Sequence, residues 1–260
     1  MSIRWLTIFF DLPSSSFDPA AEFWLRVTGG ECSARRGPEG EFATVLPPDG
    51  DAYLRIQRVR DGSGGRHLDL HVDLEKESLA QVAARAVVLG ARVRHVEAGL
   101  TVLDSPGGFT FCLVNWDGEA TVPSPIRSDT GSANRLDQLC LDIPPDRFEA
   151  EGAFWSTLTG WELRTGSLPE FNYLERPAGI PVRLLLQRRA QAGPQELVSA
   201  HVDVACDDVR AVCESHVAAG AQVAAEFAHW LTMTDPIGQP YCLTSRNPLT
   251  GTPTGQLVRP

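Results

Sequence analysis

The feature that most constrains this chain is that it repeats itself. Aligned at an offset of 131, slipping to 130, its two halves match over almost their whole length. Asp11-Leu12-Pro13 pairs with Asp142-Ile143-Pro144, Phe23-Trp24 with Phe154-Trp155, and Thr28-Gly29 with Thr159-Gly160. Farther on, Gln57-Arg58 pairs with Gln187-Arg188, Gly90-Ala91 with Gly220-Ala221, and Cys112-Leu113 with Cys242-Leu243. Between them, across a four-residue gap, His67-Leu-Asp69 matches His201-Val-Asp203. One long period of this kind means one structural unit used twice, and 260 residues suit two compact domains. Pro, Ser, Gly and Thr crowd the stretch from Asp117 to Asn134, which is linker composition. The expected domains are therefore 1–116 and 135–248, with a linker over 117–134 and an irregular tail over 249–260.

Within each copy the patterning predicts the same order of elements. An apolar strand (5–11; 136–143) leads into a helix carrying the Phe-Trp pair (19–27; 148–158). Further strands follow, including 53–59 and 182–188, then a second alternating strand (67–73; 200–206). An Ala-rich helix (79–89; 209–218) stops at Gly90 or Gly220, a helix-end glycine. A strand, a turn at Pro106-Gly107-Gly108 or Pro236-Ile237-Gly238, and a last strand through Cys112 or Cys242 close the copy. Each copy is thus α+β.

Strand alternation decides which side chains can carry chemistry, because successive residues point to opposite faces. Leu68, Leu70 and Val72 form an apolar face for the helices, which leaves His67, Asp69 and His71 together on the other. In the second copy His201 and Asp203 share that face, opposite Val202 and Val204. On the preceding strands Tyr53, Arg55 and Gln57, and likewise Arg183 and Gln187, point with the histidines. A curved sheet with helices on one side and these polar groups on the other makes a cup for a small ligand.

Charge and leader segments exclude other partners. The net charge is −10 and no basic block occurs, so the footprint of a nucleic-acid binder is missing. The apolar run before Asp11 has six residues, too short for a signal-peptide core or a membrane span. A cytoplasmic protein without membrane contact is expected, its six cysteines reduced and mostly buried, since they form no CxxC pair.

The element order and the segments LRIQRV (54–59), RHLDLHVD (66–73) and SPGGFTFCLVNW (105–116), echoed by LLLQRR (184–189), SAHVDV (199–204) and DPIGQPYCL (235–243), resemble the vicinal oxygen chelate superfamily. That superfamily includes glyoxalase I, extradiol dioxygenases, and bleomycin- and fosfomycin-resistance proteins; the likeness is to its glyoxalase-like bacterial subgroup. The resemblance implies two tandem glyoxalase-like domains, each of paired βαβββ modules whose eight-strand sheet curls into a cup. Metal-dependent members hold a divalent ion with His and Glu from four strands. Those positions correspond here to Thr7, Gln57, His67 and Cys112, and to Gln138, Gln187, His201 and Cys242. Only the fifth-strand histidine survives in each copy, so no two-His-one-carboxylate triad is present and no metal cofactor is expected. The exception is a thiophilic ion on His201 with Cys242 or His67 with Cys112, for which two ligands fall short of the usual three or four.

Two functions follow from the resemblance. One is a protein that binds a small organic molecule in the cups without a metal, as resistance proteins do, using Thr7, Arg55, Gln57, His67, Asp69, Cys112, Gln138, Arg183, Gln187, His201, Asp203 and Cys242. The other is a divergent isomerase, lyase or dioxygenase working through His67 or His201, since imidazole titrates near neutral pH. Cys112 and Cys242 read as small buried hydrophobes or as thiol–imidazole pairs, and the glutamines as structural amides or ligand contacts. Trp24 and Trp155 belong to the core, while Trp116 and Trp230 suit pocket walls. The two copies are expected to pair within the chain, with a homodimer left open.

Overall fold

A computed structural model describes residues 2–255 apart from Ser63, Ala192, Pro194 and Gln195. The first half runs β1 (Ile3–Pro13), α1 (Phe17–Thr28), β2 (Glu31–Cys32), β3 (Phe42–Leu46) and β4 (Leu54–Val59). It continues through β5 (Gly65–Val72), α2 (Leu79–Val88), β6 (Arg92–Glu97), β7 (Leu100–Asp104) and β8 (Thr110–Asn115). After a short β9 (Ile126–Arg127), the series recurs as β10 (Ala133–Ile143), α3 (Phe148–Thr159), β11 (Glu162–Thr165), β12 (Phe171–Glu175) and β13 (Arg183–Arg188). It ends with β14 (Ser199–Cys206), α4 (Val209–Ala218), β15 (Gln222–Glu226), β16 (Trp230–Thr234) and β17 (Pro240–Ser245).

Each half therefore holds two βαβββ modules in one curled sheet. The strand orders β2-β3-β4-β1-β5-β8-β7-β6 and β11-β12-β13-β10-β14-β17-β16-β15 show the two modules of a half meeting through their first strands. The second sheet has a ninth strand, because β9, inside the Pro- and Ser-rich stretch, pairs antiparallel with the start of β10. Gly131, at φ 86°, makes that return possible by letting its N–H reach Ser128 O at 2.8 Å. Parallel pairing of β5 with β8 sets Asp69 opposite Cys112, and that of β14 with β17 sets Asp203 opposite Cys242.

The contacts divide the chain into two units that each draw on both halves. Unit one comprises Met1–Phe9, Arg66–Val122 and Leu139–Ala200; unit two comprises Phe10–Gly65, Pro123–Gln138 and His201–Pro260. In unit one Phe111 of β8 lies against Phe154 and Trp155 of α3, with ring centroids 5.8 and 5.1 Å apart. In unit two Tyr241 of β17 meets Phe23 and Trp24 of α1 at 5.9 and 5.3 Å. The Phe-Trp pair of one copy thus packs on the last strand of the other. Both tryptophans are fully buried, as their periodicity predicts. All six cysteines are free thiols, with Cys32 alone exposed. Among the described residues no helix is long and apolar enough to cross a membrane. Of the expected tail, Pro253 bridges back to Arg246, and residues 256–260 lie outside the described residues.

Candidate functional site

In unit two the neighbouring strands β10, β14 and β17 bring a chain of buried polar groups together. It starts at Arg246, just past β17, whose guanidinium grips Asp137 of β10: Nη2 donates to Oδ2 at 2.9 Å and Nη1 to Oδ1 at 3.3 Å. Nη1 also donates to Gln138 Oε1 at 2.7 Å, and Nε donates to Gly251 O at 2.9 Å. Because Arg246 claims its oxygen, the Gln138 amide must turn its nitrogen the other way, and Nε2 donates to Asp203 Oδ2. The second oxygen of Asp203 lies 3.4 Å from His201 Nε2 without a hydrogen bond. His201, Asp203 and Cys242 have their ligating atoms within 4.8 Å of one another, and all three are buried.

Burial sets the charge of this cluster. It pushes the Asp203 carboxyl up, although His201, Gln138 and Arg246 pull it down. It likewise pushes the Cys242 thiol up, against a hydrogen bond with His201. Burial thus works against the charged form of each group, and Cys242 is a poor nucleophile as it stands. What the cluster offers is an imidazole, a carboxyl and a thiol, aimed at one another and held from behind by an ion pair.

The corresponding residues of the first copy lie in unit one, where His67, Asp69 and Cys112 cluster within the same 4.8 Å. Their surroundings differ. The His67 ring stacks on Phe9 at 4.2 Å and 16°, and Thr7 does not reach toward the aspartate but hydrogen-bonds His71 Nε2 at 2.8 Å. His71 Nδ1 in turn lies 3.1 Å from Glu119 Oε1. Burial works against the charge of Glu119, yet the nearby imidazole of His71 and the backbone N–H of Asp117 outweigh it and hold the carboxyl down to about 2. The positions matching Arg246 and Asp137 are Trp116 and Leu6, so the first copy has no such ion pair. Trp116 takes Arg4 over its ring at 5.0 Å instead.

The other residues expected in the cups are engaged separately. Arg55 and Gln57 sit on β4 opposite Thr44 and Phe42. The Arg183 guanidinium lies over the Tyr173 ring at 4.8 Å, and Gln187 Oε1 accepts from Cys140 Sγ at 3.7 Å. Tyr53 donates to Leu136 O at 2.7 Å and is buried in unit two. Trp230 stacks on Phe227 at 4.7 Å. Sequence reasoning missed Arg246, Asp137 and Glu119. The signal for the first two was a pair of opposite charges present together in one copy and absent together from the other.

The family model described as a glyoxalase-like domain matches residues 7–114 and again 138–244. No curated protein matches the chain in sequence. The fold is similar to the Mn(II)-bound glyoxalase from Novosphingobium aromaticivorans (TM-score 0.65, 15% identity, 94% of this chain and 81% of that one). It is similar also to 2,2',3-trihydroxybiphenyl 1,2-dioxygenase from dibenzofuran-degrading Sphingomonas wittichii strain RW1 (0.62, 16%, 99% and 92%). A third similar structure is the 2,3-dioxygenase LapB from Pseudomonas sp. KL28 (0.65, 12%, 94% and 92%). At these identities the likeness is one of fold.

Proposed function

We propose, from the premise that this chain belongs to the glyoxalase-like domain family, that it binds a small organic molecule in the cup of its second copy. His201, Asp203 and Cys242 meet the ligand, while Gln138 and Arg246 hold them in place. One observation carries this reading: a buried carboxylate oxygen that makes no hydrogen bond stands beside an imidazole and a thiol, backed by an ion pair that the first copy lacks. Burying such groups costs folding free energy, and a scaffold that accepts this cost gains a set of prepositioned contacts for a partner. Polar atoms within 4.8 Å of one another suit a ligand with oxygens on adjacent carbons.

These residues do not fit the manganese of the similar glyoxalase structure. Gln138 has both ends of its amide engaged, by Arg246 and Asp203. The thiol of Cys242 is a soft donor where a hard ion needs oxygen. The second reading, a divergent enzyme using His201, is favoured by the thiol–imidazole–carboxyl set and opposed by the burial that keeps Cys242 protonated.

Calorimetric titration with catechol as the probe tests the proposal. Binding to the wild-type chain that is lost in His201→Ala and retained in His67→Ala is the expected result. Binding lost in His67→Ala alone would move the site to the first copy and defeat the reading.

A further inference from the structure

The cluster that resists a hard ion has the donors of a soft one. A tetrahedral thiophilic ion takes sulfur from Cys at about 2.3 Å, nitrogen from His at about 2.0 Å and oxygen from Asp at about 2.0–2.2 Å, and an open site needs three protein ligands. From sequence only His201 and Cys242 count toward this, one ligand short. Asp203 is the third: β14 places it two residues from His201 on the same face, and the parallel register sets it opposite Cys242. It does not stand at any of the four strand positions from which metal-dependent relatives draw their ligands, and Gln138 and Gln187, which do, take no part.

We propose that His201, Asp203 and Cys242 bind one zinc-like divalent ion, with a fourth coordination position open. This deepens the reading of the second copy as the working one and rests on it. Bond lengths of that size put neighbouring ligand atoms about 3.3–3.6 Å apart around a tetrahedral ion. His201 Nε2 and Asp203 Oδ1 already stand at 3.4 Å, and the whole set, within 4.8 Å, has to close by about 1 Å. Asp203 Oδ1 is buried and makes no hydrogen bond among the described residues, which is the state of an oxygen kept for a ligand. In the first copy no oxygen of Asp69 stands buried without a hydrogen bond among the described residues, so the binding is assigned to the second alone.

Charge agrees with this assignment. A dication in a buried site needs negative ligands, and the Asp203 carboxylate and the Cys242 thiolate would supply two charges, the thiol releasing its proton to solvent. Arg246 does not touch the ligating oxygen; it fixes the amide that holds the other one. Bound there, the ion would supply a Lewis acid for an oxygen of the organic ligand of the proposed function.

The test uses the full chain, stripped with chelator under reductant, then supplied with zinc, cobalt(II) or manganese(II) and desalted. The expected result is about one equivalent of zinc or cobalt retained, with a thiolate-to-cobalt charge-transfer band, and no manganese. Cys242→Ser abolishes the band, Asp203→Asn weakens zinc binding at least about 10-fold, and Cys112→Ser changes neither; circular dichroism confirms that each variant folds. If Cys242→Ser does not fold, the wild-type band together with loss of retention in Asp203→Asn decides the matter. Failure to retain zinc and cobalt, equal retention of manganese, or a band that survives in Cys242→Ser overturns the proposal. Catechol binding without metal retention would sink this inference alone, whereas metal retention without catechol binding would sink the ligand reading alone.

Discussion

At the scale of single residues, two buried groups carry measurable consequences. His216 on α4 is almost fully covered; its Nδ1 lies 3.0 Å from Tyr241 Oη, and its ring meets Phe23 edge-on. Burial drags its imidazole down from 6.5 to about 4. The folded state thus binds the proton less readily than the unfolded one, so the contribution to stability is intact above 6.5 and is lost as pH falls toward 4. The loss is at most about 3 kcal/mol. A pH series of urea midpoints is expected to fall over that window for the wild type and to fall less for His216→Gln; parallel curves would refute the assignment. Arg246→Met is predicted to cost about 3–5 kcal/mol, because it removes the ion-pair partner of the fully buried Asp137. Chemical denaturation reads this directly, with Asp137→Leu in the same chain restoring much of it. In the sequence, strand alternation puts His201 and Asp203 on one face, while Gln138 and Cys242 enter only through the resemblance, as positions where metal-dependent relatives carry ligands. Their support was not legible, because Arg246 and Asp137 lie far apart in the chain and only the fold joins them.

At the scale of elements, each unit pins a helix to a turn with a tryptophan and a carboxylate, but the carboxylate comes from opposite sides. In unit two Trp24 Nε1 of α1 donates to Asp235 Oδ2 at 3.0 Å, and Asp235 Oδ1 accepts from the turn's own Ile237 and Gln239 N–H groups. In unit one the turn has Ser105 where the other has Asp235, and α3 supplies Glu151 where α1 has Ala20. Glu151, fully buried, takes the indole of Trp155 at 2.8 Å with one oxygen and the Gly107 N–H with the other. Burial pushes its carboxyl up despite these hydrogen bonds. Glu151→Ala leaves two buried donors without acceptors, a loss of about 2–4 kcal/mol. Adding Ser105→Asp rebuilds the arrangement of the other unit, and thermal unfolding should show part of the loss recovered; a double variant less stable than Glu151→Ala would contradict the equivalence. The helices and turns themselves were readable from Gly90, Gly220 and the Pro-Gly turns. The exchanged carboxylate was not, because a lone Glu in a helix reads as a solvated charge until its neighbours are known.

At the scale of the whole molecule, the repeat in the sequence and the packing in space divide the chain differently. Segments 1–120 and 130–260 each hold half of both units, so either one alone exposes an aromatic cluster: Phe111 loses Phe154 and Trp155, or Tyr241 loses Phe23 and Trp24. Neither segment is expected to unfold cooperatively as a monomer, and mixing the two should restore the native circular dichroism. Two separately stable monomers would refute the interleaving. The βαβββ order was legible because its strands, helices and glycines are local signals. The pairing of modules was not, because it is decided by which apolar face covers which, a contact between distant segments. The proposed function assigns ligand binding to the second of the two copies alone. The most direct measurement is a crystal structure of the full chain soaked with catechol. The account predicts difference density for the probe beside His201, Asp203 and Cys242, with none beside His67; density at His67 and an empty second cup would contradict it.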